Sequence, residues 1–118
     1  MAAWEIHVED GVIAISQRGE FDYALSQKVV AEAMAAAHEA RTWWLMFDFH
    51  EARVIDYHTV AVEHGNHAVE TGLARYRIAF VGPHGDPMLL FFETVGLNRG
   101  VATKSFATRE EAKRWLRG

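Results

Sequence analysis

The sequence predicts one α/β domain over 1–118, a mixed sheet that opens on an antiparallel hairpin and continues in parallel strands with about four helices. Three observations carry this. An Asp10-Gly11 pair divides two short strand-like runs; helix-like and strand-like periods alternate beyond it; and 118 residues, 50% of them hydrophobic, supply one core but not two. The predicted order is β-β-α-β-α-β-α-β-α, with right-handed crossovers.

Trp4-Glu5-Ile6-His7-Val8-Glu9 alternates apolar and polar residues, the pattern of a half-buried strand. Val12-Ile13-Ala14-Ile15 follows the Asp-Gly pair, whose glycine tolerates the positive φ of a twist-matched hairpin turn. Residues 23–40 read as a helix, because Leu25, Val29, Val30, Ala33, Ala36, Ala37 and Ala40 project to one side. Lys28, Glu32 and His38 take the other side, which places His38 in solvent. Trp43-Trp44-Leu45-Met46-Phe47 lacks alternation and reads as a strand covered on both faces.

A second helix is expected over 57–73, with Gly72 near its end. Residues 76–81 form the next strand, broken by Gly82-Pro83-His84-Gly85. Asp86 then caps a third helix that begins at Pro87 and runs to about Leu97. A short strand over 101–106 precedes Thr108-Arg109-Glu110-Glu111, a capping box opening a helix that buries Ala112, Trp115 and Leu116.

Composition removes several function classes. Lys plus Arg number 12 against 16 Asp plus Glu, a net charge of −4, and no basic cluster supplies a footprint for nucleic acid. There are no cysteines, hence no thiolate nucleophile and no Cys-based metal site. The start lacks the pattern of a signal peptide, and no apolar run reaches the ~18 residues of a membrane span. The cytoplasm is the expected location.

Leu45-Met46-Phe47-Asp48-Phe49, then Arg53-Val54-Ile55-Asp56, then Tyr57-His58-Thr59-Val60 resemble the STAS domain, found in anti-sigma-factor antagonists and at the cytoplasmic ends of sulfate transporters. Asp48 and Asp56 fall at the family's two acidic positions. With Trp4, Phe106 and the terminal Glu-Glu-Ala-x-x-Trp-Leu, the whole chain looks more like the SpoIIAA-like branch, related in fold to Sec14 lipid-binding domains. The resemblance implies a regulatory module. It departs at one position: Tyr57 stands where the antagonists carry their phosphorylated serine, and Thr59 is the nearest other hydroxyl. Switching by the family's usual phosphorylation is therefore not expected.

Ligands of open α/β sheets bind near the carboxyl ends of parallel strands, so Asp48, His50, Asp56, Tyr57, His58 and His84 are the candidate ligand or partner pocket. His58 projects onto the apolar arc of its helix. The plainer reading has Asp56 capping that helix and His58 packed with one hydrogen bond. His64 and His67, beside Glu63 and Glu70, invite a metal, yet His67, Glu63 and Glu70 project opposite the apolar arc, with His64 nearer its edge, and an exposed helical face lacks the outer shell that orients ligands. No metal, cofactor or catalytic set is expected: no Gly-x-Ser-x-Gly, His-Glu-x-x-His or phosphate loop occurs.

The third helix is apolar on two sides. Met88, Phe91, Phe92 and Val95 make one face; Leu90 and Leu97, with Glu93 and Thr94 beside them, project elsewhere, and Leu89 also lies off the main face. Either the terminal helix covers that second side or a partner does. The reading is a non-catalytic regulatory or scaffold module working by protein contact, as a homodimer through Leu90, Glu93, Thr94 and Leu97. The alternative is a carrier of a lipid or small apolar ligand, and a weak hydrolase ranks third.

Overall fold

The computed structural model describes residues 2–118. A five-stranded sheet has its strands in the order β1-β2-β3-β4-β5. The strands are β1 (Ala3–Glu9), β2 (Val12–Phe21), β3 (Trp44–Val54), β4 (Arg77–Val81) and β5 (Ala102–Phe106). β1 and β2 are antiparallel, and the other pairs are parallel. The helices are α1 (Tyr23–Ala40), α2 (Tyr57–Asn66), the short α3 (Ala68–Thr71), α4 (Pro87–Asn98) and α5 (Arg109–Arg117), with a 3-10 turn at Leu73–Arg75.

Each parallel strand is laid beside its predecessor without a change of direction. Crossovers of one hand then deposit their helices on one face. Val29 and Ala33 of α1, Val60 and Ala61 of α2 and Phe92 and Val95 of α4 accordingly share a core with Ile13, Ile15, Leu45 and Phe47. Only α5 takes the other face, where Ala112 and Leu116 cover Val12, Ala14, Met46, Ala79 and Val81. Leu45 and Met46 are fully buried on opposite faces, as a strand without alternation requires.

Most boundaries follow local chemistry. Asp22 accepts from the Leu25 N–H at 2.8 Å to cap α1, and Asp86 accepts from the Met88 N–H at 2.8 Å ahead of Pro87. Thr108 caps α5, accepting from the Glu111 N–H at 3.3 Å. His38 is exposed.

Three expectations need correction. The helix expected over 57–73 is interrupted: α2 ends at Asn66, a separate turn follows, and Gly72 ends that turn at φ 84°. Gly65 and Asn66 are poor helix formers, and tertiary contact decides there. A Cβ on Gly65 would lie 2.4 Å from Cδ of Arg99, so the glycine admits a close crossing of α2 and α4. Second, Asp56 does not cap α2; it adopts φ 53° and its side chain makes no capping bond. Third, β2 and β3 run on well past Ile15 and Phe47, so Arg18–Phe21 pairs with Glu51–Val54 beyond the last β3–β4 pair, Asp48–Val81. Polar residues there hid the strand period.

Candidate functional sites on the two faces of the sheet

The six residues expected to form one pocket divide into separate groups. Asp48, at the last β3–β4 pair, turns toward the α5 face. Arg109 Nε donates to Asp48 Oδ2 at 2.8 Å, while Asp48 Oδ1 accepts from the His50 N–H at 3.0 Å and lies 2.8 Å from His50 Nδ1. The same guanidinium donates to Ser16 Oγ at 2.6 Å and to Glu9 at 3.3 Å. Burial alone would raise the Asp48 pKa, but the His50 N–H and Arg109 hold the carboxyl below its ordinary value. Arg109 escaped sequence reasoning because no spacing rule links it to a carboxylate in a distant strand.

This polar cleft is chemically self-satisfied. Asp48 is committed to Arg109, and the Ser16 hydroxyl accepts from the guanidinium. A serine nucleophile needs a base to take its proton; here its recorded partner is a cation. The arrangement fastens α5 to three strands.

Tyr57 and His58 lie elsewhere. Their rings stack with centroids 4.2 Å apart, and His58 meets Phe91 of α4 edge-on at 4.5 Å. His58 is exposed rather than packed in the apolar arc: at the first turn of α2 its ring lies between Tyr57 and Phe91 at the surface. Asp56 and His84 are exposed too, the latter in the turn before α4. No common pocket joins the six. The strand order supplies the reason: the crevice of open α/β sheets opens where the strand order reverses, and this sheet has no reversal among its parallel strands.

On the helix face, beneath α1, α2 and α4, lies a cavity of about 100 Å³. Its walls are mostly apolar, with Phe47, Phe80 and Phe92 among them. Four polar side chains also reach it: Gln17 from β2, Ser26 from the first turn of α1, His64 from α2 and Thr103 from β5, the last with its hydroxyl donating to the Glu93 carbonyl at 2.9 Å. Gln17 Oε1, Ser26 Oγ and His64 Nε2 are buried without a hydrogen-bond partner. Burial holds the His64 pKa below its ordinary value, and neighbouring His67 adds to the depression while Glu63 opposes it. His64, which helical projection places near the edge of the apolar arc, turns its ring inward, 5.4 Å from that of Tyr23, so the exposed-face reading does not hold for it.

Gln17 was also missed, although a signal existed. It continues the inward series Ile13, Ile15, where an apolar residue belongs. His67 does face solvent, 3.2 Å from Glu70. Among the described residues no three His, Asp or Glu side chains gather closely enough to hold a metal ion.

The interface candidates on α4 are partly grouped. Leu90, Thr94 and Leu97 form one exposed stripe, the leucines 46% and 56% accessible. Glu93 leaves it, accepting from the Ser105 N–H at 2.7 Å and from its hydroxyl at 3.1 Å. Leu89 is 2% accessible and packs against Gly82. The terminal helix does not cover the stripe, being on the opposite face.

Comparison of the whole architecture with solved structures gives two likenesses. One is to an uncharacterised protein of the DUF3478 family with a SpoIIAA-like fold from Shewanella loihica PV-4, at a TM-score of 0.63 and 15% identity, covering 98% of this chain and 93% of that one. The other is to the anti-sigma factor antagonist SpoIIAA in its unphosphorylated form, at a TM-score of 0.63 and 22% identity over 98% and 97%. The fold is SpoIIAA-like. No family profile and no curated protein matches the chain. The SpoIIAA-like fold here combines the expected antiparallel start, parallel continuation and helix-covered sheet. No helix of the described residues is long and apolar enough to cross a membrane.

Proposed function

We propose that this chain is a non-catalytic regulatory or scaffold module in the cytoplasm that acts through protein contact, first with a second copy of itself. The exposed Leu90-Thr94-Leu97 stripe carries the reading. It runs along the outer side of α4, which is pressed against the edge strand β5 by Glu93–Ser105 and Thr103 contacts. The two leucines are equidistant from the middle of the stripe. A two-fold axis through that middle would set Leu90 of one copy against Leu97 of the other, as an isologous interface requires. One structure of this fold is an anti-sigma factor antagonist, a protein named for its effect on another protein. Tyr57 in place of the family's serine argues for constitutive contact rather than phosphate control.

Sedimentation velocity at micromolar concentration tests the proposal. The wild type should be a dimer, and Leu90→Glu with Leu97→Glu should be a folded monomer with little change in stability, since both side chains are exposed. A wild-type monomer at every accessible concentration overturns the self-association reading.

A second reading, a carrier of a lipid or small apolar ligand as the Sec14 resemblance suggests, is favoured by the cavity under α1, α2 and α4. Catalysis ranks below both, because the cleft at Asp48 is neutralised by Arg109 and presents no activated nucleophile.

A further inference from the structure

We propose that the cavity between the sheet and α1, α2 and α4 binds a small neutral ring carrying one hydroxyl group, a phenol-like molecule. The inference rests on the carrier reading and specifies its ligand.

Size comes first. An apolar cavity of roughly 150 Å³ in a protein core stays dry and accepts benzene. The present cavity, about 100 Å³ between Phe47, Phe80 and Phe92, is of the scale of one ring. A diacyl lipid would need far more room, so its chains do not fit without opening the fold.

Polarity comes second. Gln17 is 5% accessible and Ser26 8%, and each ends in an unpartnered oxygen, as His64 ends in an unpartnered nitrogen. Buried polar atoms are ordinarily paired, and three orphans on one cavity mark a place where a partner is missing. Gln17 Oε1 only accepts; His64 Nε2 accepts in the tautomer protonated at Nδ1; Ser26 Oγ does either. A ligand hydroxyl donates to one acceptor and accepts from Ser26. Hydrocarbon leaves all three orphans unmet.

Charge comes third. No Asp, Glu, Lys or Arg lines the cavity. An ion entering would lose its hydration with no counter-charge to replace it. The ligand is therefore neutral. Water is the rival occupant: the three orphans are enough to hold one, but a single water would leave the aromatic walls unfilled.

Titration of the 15N-labelled protein with phenol and, separately, with benzene, both at pH 7.5, tests this by amide shifts. Benzene should give saturable shifts confined to β2, α1, α2 and α4, and phenol should do so at about a tenfold lower concentration. Gln17→Leu should bring the two ligands within about threefold of each other. Ser26→Ala, a smaller change, does the same work if Gln17→Leu fails to fold. If neither ligand shifts the cavity residues, the carrier reading falls with the inference. Benzene binding as well as phenol keeps the carrier reading and overturns the hydroxyl recognition. A phenol preference that survives both substitutions, or shifts lying only outside the cavity, also overturns it.

Discussion

His64 shows how one side chain can carry two opposite readings. Helical projection leaves it near the edge of the apolar arc, and contact with Tyr23 of α1 decides the side, turning it inward. Its depressed pKa has a consequence for stability. As pH falls through the ordinary value of 6.5, the unfolded chain takes up a proton before the folded one does. The contribution of His64 is therefore complete above 6.5 and declines as the medium becomes more acid, toward the lower folded value. Groups facing it are Tyr23 from α1 and Glu63 and His67 on its own segment. Urea denaturation at pH 7.5 and 5.5 should show a loss for the wild type that His64→Leu diminishes; an equal loss in both would assign the effect elsewhere. Of the orphaned trio, Gln17 was legible as a polar intruder in an inward series. Ser26 was not, since a serine in the first turn of a helix is ordinary.

At the scale of elements, α4 crosses β5 closely. A Cβ on Gly96 would come 2.5 Å from both Cγ2 and Oγ1 of Thr103, whose hydroxyl donates to the Glu93 carbonyl at 2.9 Å. Alanine in a helix interior gains about 1 kcal/mol over glycine by propensity. Overpacking costs about 1–3 kcal/mol, and the neighbour here is a hydrogen-bonded side chain with little room to yield. Gly96→Ala should therefore lower stability in thermal denaturation, against the propensity scale; a stabilised variant would show that Thr103 relaxes freely. Element types and order were readable because caps, periodicity and the Asp-Gly turn agree with one another. Where they failed, at the α2 break and the long ends of β2 and β3, the deciding forces were contacts between segments distant in sequence: Gly65 on Arg99, and Arg18–Phe21 on Glu51–Val54.

At the scale of the molecule, the sheet has three helices' worth of cover on one face and a single helix on the other. α5 is held by Arg109 to Asp48, Ser16 and Glu9, by Lys113 to Glu9 at 3.0 Å, and by the Arg77 guanidinium 4.4 Å over the Trp115 ring. Arg109→Met removes the donor that satisfies three strands at once and should cost about 1–3 kcal/mol by urea denaturation at pH 7. It should also flatten the acid limb: the lowered pKa of Asp48 gives stability that is present above 3.8 and lost as pH falls through the folded value. An unchanged midpoint would mean that apolar packing alone seats the helix. The candidate pocket at the strand ends was legible only as a list of residue types, because whether they converge depends on strand order, and strand order is a property of the assembled sheet.

That order has a kinetic side. Because neighbours in space are neighbours along the chain, every strand after the hairpin meets a waiting edge offered by the segment just before it. No strand must be inserted between two already joined, and each closure spans one strand–helix unit. Growth can proceed outward from the Asp10-Gly11 turn like a zip, with modest loop entropy at each step.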